Sequence, residues 1–312
     1  MKNTLKKGDI LLFFAGDSWL SKSISYLTNA EVTHAAMVYS ENSIVEILAG
    51  GPQINKISLQ DSEQKGKKAY LMRHIPELDF EPLKKSADAY LESDVVYDFP
   101  GLFLLGGLLI YNKIVPSPQM FNCAELILEA AILMLDRFIQ KEILHHSGKY
   151  MVCSQFVYQL FYDCGGDYRI PIINGCFSVE NEKDECSEGK IRLADFLDED
   201  CALAADSAEP FYSINESDID SPSLVEELSE KLYLALSQSE QDTLELNSLS
   251  AKPHNRNRVL FLANKFLDKV KQIQQKFNMN LPLDAMFVTV ADLAYHAPSL
   301  QKIDTLYIER PD

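Results

Sequence analysis

Apolar residues recur along this chain with two different periods, and the change between them divides it. Between residues 8 and 75 the apolar stretches are short: "ILLFF", "THAAMVYS", "SIVEILAG" and "KAYLMRHI". Each is rich in β-suited side chains and bounded by Gly, Asn, Ser or Asp, which predicts strands. One short helix interrupts them over 17–29, "DSWLSKSISYLTN", with Asp17 as its cap and Trp19, Leu20, Ile24 and Leu27 turned inward. The second and third strands are separated only by "ENS", a hairpin signal.

Beyond residue 79 the period lengthens. "FEPLKKSADAYLES", 80–93, reads as a helix, and 121–144, "FNCAELILEAAILMLDRFIQKEIL", as a long one with its charges concentrated at Glu125, Glu129, Asp136 and Arg137. A helix apolar on most sides belongs inside a protein; a lipid-facing role is the lesser alternative. In "YMVCSQFVYQLFYDCGG", 150–166, Phe156, Val157, Leu160 and Phe161 line one helix face, and the glycine pair supplies the left-handed stop. From 222 onward three further helical runs predict an all-helical C-terminal region.

Composition narrows the partners. The chain of 312 residues has a formal charge of −17, unevenly spread: residues 1–150 hold 15 basic and 18 acidic side chains, residues 151–312 hold 14 and 28. Such a surface repels phosphates at long range, so nucleic acid is not expected as a partner. Segment 176–220 carries 14 acidic against 3 basic residues, and its Ser- and Asp-rich second half reads as a solvated linker. No window reaches the roughly 18 uncharged apolar residues of a membrane span, and "ILLFFAG" is too short for a signal peptide and lacks a cleavage site. The expected location is the cytoplasm, with export by a leaderless route as the alternative. Six cysteines without a C-x-x-C spacing suggest reduced thiols, and no metal or other cofactor is expected.

The position of Cys153 carries the chemistry. At the first turn of its helix a thiol meets free backbone N–H groups and the positive end of the dipole, both of which favour the thiolate. A base to serve it is available in His34, and Glu46, twelve residues later, could orient the imidazole. Whether the two share a sheet face depends on the hairpin. If Ser40 faces Ser43 across a two-residue turn, Met37 opposes Glu46 and His34 points to the other side. If Ser40 faces Ile44 across the three-residue loop "ENS", Val38 opposes Glu46 and the pair shares a face. Both loop lengths are common. The chemistry favours the second, because Glu46 between Val45 and Ile47 needs a polar partner. Cys123 and Cys164 look structural, and His145 and His146 fit no zinc spacing.

These segments meet a known family. "GDILLF", "TNAEVTHAAMVY", "IVEIL", "YDFPGL" and "YMVCSQFVYQLF" resemble the circularly permuted NlpC/P60 papain-like proteins, a group that includes relatives similar to lecithin retinol acyltransferase. In this branch the histidine hairpin precedes the cysteine helix, as here. The resemblance covers about residues 8 to 198, including "KIRLADFL". It implies an α+β, permuted papain-like fold with an antiparallel sheet packed on helices. The domain would span 1–204 with an apolar helical insertion at 99–149, followed by an acidic linker at 205–221 and the helical region 222–312. It implies Cys153 as nucleophile, His34 as base and Glu46 as orienting acceptor. Tyr97 corresponds to a family tyrosine bordering the active site, and Ser154, beside the nucleophile, is assigned with it to substrate binding.

The expected activity is that of a cysteine hydrolase cutting an amide, peptide or related acyl bond. For a bacterial peptidase of this superfamily the substrate would be a peptidoglycan stem peptide. A lipid acyl hydrolase or acyltransferase, with 99–149 forming an acyl channel, is the second expectation. The third is a non-catalytic module whose C-terminal helices recruit a protein partner. Membrane contact is left open.

Overall fold

Five apolar residues in a row, Ile10–Phe14, form the first strand, β1, which lies at the centre of the sheet. In the computed structural model, which describes residues 5–111, 118–142, 150–177, 222–242, 253–276 and 283–310, β1 pairs antiparallel with β2 (Val32–Ser40) and with β6 (Lys67–His74). With β3 (Ser43–Leu48), β4 (Gly51–Lys56), β5 (Ser58–Gln60) and β9 (Leu300–Glu309) they make a seven-stranded antiparallel sheet ordered β4-β3-β2-β1-β6-β9-β5. Both faces of β1 are covered, which is why its sequence does not alternate: Ile10 and Leu12 join one core, Leu11 and Phe13 another. A bidentate pair, Arg73 Nε and Nη2 to the buried Asp9 at 2.7 Å each, fastens β6 to the start of β1. The mixed helix-and-sheet class expected from the sequence is the one observed.

On one face lies α5 (Cys153–Cys164), whose Phe156, Val157, Leu160 and Phe161 are wholly buried against the sheet. Truncating either phenylalanine would cost about 3–5 kcal/mol, a large part of the ~5–15 kcal/mol that holds a typical domain folded. That anchoring fixes where the first turn of the helix sits. Val152, which precedes it, has no capping side chain; instead Gln155 Oε1 reaches back to accept the Val152 N–H at 3.1 Å. The other end stops at Gly165 and Gly166, with φ of 67° and 52°, as the sequence predicted. Flanking α5 is α2 (Phe80–Leu91), N-capped by Asp79. A small parallel pair, β7 (Val96–Tyr97) with β8 (Tyr150–Met151), leads directly into α5.

The remaining helices form their own core. It joins α1 (Trp19–Thr28), α3 (Phe99–Tyr111), α4 (Pro118–Glu142), α6 (Pro222–Asp242) and α7 (Pro253–Lys276). Gly107 lets α3 approach α4: a Cβ there would stand 2.8 Å from Leu128 Cγ. Two of the sparse charges of α4 find partners on α7, Glu129 with Arg258 at 3.1 Å and Asp136 with Lys269. The apolar sides of α4 are therefore spent on neighbouring helices. Among the described residues no helix is long and apolar enough to cross a membrane.

Two expectations need correction. The cap of α1 is Ser18, not Asp17: Ser18 takes the extended backbone of an N-cap, and its hydroxyl accepts the Ser21 N–H at 3.2 Å. The region 222–312 is not all helical. After α8 (Leu283–Met286) and α9 (Val290–Tyr295), β9 runs between β6 and β5 and pairs with both. The reason is the β-suited run Thr305–Ile308, whose Ile308 is buried in the core on the second face of the sheet. The acidic linker 205–221, "KIRLADFL", His145 and His146 lie outside the described residues.

Candidate active site

The β2–β3 hairpin corrects the register that the chemistry favoured: it turns as the first of the two alternatives does, and past a bulge its ladder is neither of them, since Glu46 faces neither Met37 nor Val38. Its turn is the two-residue one, Glu41 and Asn42, with Ser40 opposite Ser43. A bulge then follows at Tyr39, and the ladder resumes as Val38 with Ile44 and Met37 with Val45. The extra residue shifts the pairing by one, so His34 and Glu46 fall on the same face despite the short turn. Tyr39 has a reason to leave the ladder: its hydroxyl donates to Asp88 Oδ1 of α2 at 2.6 Å, and its ring meets Phe80 edge-on.

On that face His34 Nε2 contacts Glu46 Oε2 at 2.5 Å. Glu46 has no exposed surface, whereas the histidine side chain is 22% exposed. The other oxygen, Oε1, accepts from Asn55 Nδ2 at 2.8 Å, and Oε2 also lies 3.1 Å from Arg310 Nη1. With Nε2 engaged, the imidazole presents Nδ1 to Cys153, with which it hydrogen-bonds. Burial alone would strip His34 of its proton. The Cys153 thiolate and the Glu46 carboxylate outweigh it and raise the His34 pKa from 6.5 to about 9. Conversely, burial favours the neutral Cys153 thiol. The His34 charge and hydrogen bond, together with the backbone N–H groups of Ala35 and Ser154, overcome that and hold it below its ordinary value. Both shifts run in the direction of an imidazolium–thiolate pair.

Tyr97, at the end of β7, completes the surroundings of the sulfur. Its phenol lies beside the Cys153 sulfur and backbone N–H, and burial with the nearby thiolate keeps it protonated well above its usual pKa. A phenol and a backbone N–H thus stand together beside the nucleophile, the two donor types that stabilise an oxyanion. Neighbouring Asp98 accepts the Gly101 N–H at 2.7 Å at the start of α3, and burial lifts its pKa to about 6. Ser154 lies at the same turn, but its hydroxyl is turned to the Val288 carbonyl at 2.7 Å; only its N–H faces the sulfur. Cys123 and Cys164 are tied to carbonyls of Lys231 and Leu160 at 3.8 and 3.2 Å, away from this cluster. Among the described residues no group of three or more His, Cys, Asp or Glu is arranged to hold a metal ion.

A narrow cavity of about 50 Å³ opens beside the sulfur. It is lined by Cys153, Tyr97, Thr33 and Val290 together with Leu27, Phe103, Leu109 and Leu232. Its walls are overwhelmingly apolar and come from α1, α3, α4 and α6. The helical layer therefore roofs the thiol site.

Sequence reasoning brought Cys153, His34, Glu46 and Tyr97 to one place and missed Asn55, Arg310 and the 286–290 segment. Asn55 was within reach: Gln53 opposes Glu46 across β3 and β4, so Asn55 shares the carboxylate's face one step along. Arg310 left no local signal, and neither did the Met286 and Val288 carbonyls that hold Gln155 and Ser154.

Neither a protein-family model nor a curated protein matches this chain.

Proposed function

We propose that this protein is a cysteine-dependent acyl hydrolase, built as a permuted papain-like fold, whose substrate carries an aliphatic acyl chain. What carries the reading is the apolar cavity that Cys153 helps to line. Of the expected substrates, this favours the lipid acyl ester or amide over a peptide. A peptide would leave its amide groups unpaired against such walls, at a cost of about 1–3 kcal/mol each. Apolar walls suit the methylenes of an alkyl chain. The order of the chemistry along the chain, His34 and Glu46 in a hairpin and Cys153 later on a helix, supports the permuted arrangement.

In the first step the Cys153 thiolate attacks the acyl carbon, forming a C–S bond while the carbonyl electrons move to oxygen. The oxyanion is received by the Cys153 N–H and the Tyr97 hydroxyl. The adduct collapses, the bond to the leaving nitrogen or oxygen breaks, and His34 supplies that atom with a proton. A thioester remains. Water then attacks it, His34 takes the water proton, and the thiolate departs with the acid released. An alcohol or amine in place of water would make the same site an acyltransferase. Glu46 holds the imidazole in register throughout.

The test is a series of p-nitrophenyl esters from acetyl to palmitoyl, with intact-mass detection of an acyl adduct on Cys153. Long-chain esters should turn over at least tenfold faster than acetyl, following the ~0.8 kcal/mol of each buried methylene. Replacing Leu109 with Trp should remove that preference and spare the acetyl ester. Equal rates for all chain lengths, or no adduct on Cys153, would reject the reading.

A further inference from the structure

The carboxylate behind the histidine is held by more than the histidine. Glu46 Oε2 meets His34 Nε2 at 2.5 Å and Arg310 Nη1 at 3.1 Å, while Oε1 takes Asn55 Nδ2 at 2.8 Å. Arg310 follows β9 directly, so it comes from the far side of β1 and β6 in strand order. Its guanidinium also lies over the Phe13 ring, 4.2 Å from the centroid. Phe13 is the residue opposite His34 in the β1–β2 ladder, and the two rings are 5.9 Å apart. One cation thus touches both neighbours of the base. Its Nε is buried without an acceptor among the described residues, so Glu46 is the carboxylate that accounts for its position.

We propose that Arg310 is a positioning residue of the Cys153–His34–Glu46 site, one that keeps Glu46 ionised and aimed at His34 and acts only through that carboxylate. The inference rests on the thiol chemistry proposed above. A fully buried carboxylate without a cation takes up a proton. His34 supplies a cation only part of the time, because it gives its proton to the leaving group and stays neutral until water restores it. A guanidinium does not lose its proton. Arg310 is therefore the permanent counter-charge during the interval when His34 has none. The other titratable or charged groups facing this cluster are Cys153 from α5 and Tyr97 from β7, with Asp98 beyond Tyr97. Asn55 from β4 is neutral and cannot replace the charge.

The test needs no substrate. The rate of Cys153 alkylation by iodoacetamide, resolved by peptide mass, is measured against pH in the wild type, Arg310→Met, Arg310→Lys, Glu46→Gln and the Arg310→Met/Glu46→Gln double variant. In Arg310→Met the acid limb should move to higher pH by on the order of one unit, and Arg310→Lys should recover most of that shift. Glu46→Gln should move the limb at least as far, and adding Arg310→Met to it should move it no further. An unmoved limb in Arg310→Met, or shifts that add in the double variant, would overturn the proposal. Should Arg310→Met fail to show a cooperative melt, Arg310→Gln takes its place with the same expectations. A wild-type profile like that of an ordinary thiol would instead overturn the thiol-site reading itself, and this proposal with it.

Discussion

Helix α5 carries a cysteine at each end, and the two differ in everything except their helix. Cys153 begins it, with backbone N–H groups, His34 and Tyr97 around the sulfur, and its pKa is lowered. Cys164 ends it, donates to the Leu160 carbonyl at 3.2 Å, and is pushed up to about 11 by burial and by the charge of Asp163. Cys153 is the more deeply buried of the two, Cys164 only partly so. Burial therefore does not decide reactivity here. What decides it is which end of the helix the sulfur faces and whether a cation stands opposite.

Three measurements sharpen or break this contrast. The largest effect is on turnover: Cys153→Ala should abolish ester hydrolysis, by a factor of at least about 1000, whereas Cys164→Ala should leave it unchanged. Equal losses would mean that the two ends are not functionally distinct. Next comes alkylation of the wild type at pH 7, read site by site. A thiol with a pKa near 11 holds only about one thiolate in ten thousand at that pH. The lower intrinsic nucleophilicity of the more acidic thiolate offsets part of this. Cys153 should therefore react roughly a hundredfold faster than Cys164, and similar rates would remove the electrostatic basis of the comparison. The smallest effect is on stability. The fold holds the His34 proton more tightly than the ordinary 6.5, up to about 9. Its contribution is thus complete below about pH 6.5 and fades as pH rises through about 9. The lowered Cys153 thiol has the opposite slope, so the two offset: the melting temperature of the wild type should stay nearly level across that interval, and a fall of several degrees would mean that the thiol keeps its proton there.

The same contrast marks how much the sequence could show. The first turn of α5 was legible because Phe156, Val157, Leu160 and Phe161 obey one period and Gly165 and Gly166 end it. The strands β1, β2, β3 and β6 were legible from composition and turn residues, whereas β4 and β5 were not read. The shared face of His34 and Glu46 was legible only as a choice. The bulge at Tyr39 that settles it is held by Asp88 and Phe80 of α2, contacts with no local signature. β9 was hidden for another reason: Gln301, Lys302 and Asp304 dilute its apolar pattern, and helical runs before it suggested more of the same. Arg310 was hidden altogether, since its partner stands at the opposite end of the chain.

The place of β9 between β6 and β5 has a consequence for how the polypeptide matures. Until residues 300–309 emerge from the ribosome, β6 has an open edge and β5 has nothing to pair with. Glu46 meanwhile lacks the guanidinium that neutralises it. A nascent chain that already carries Cys153, His34 and Glu46 thus lacks the guanidinium beside Glu46 until synthesis has passed Arg310.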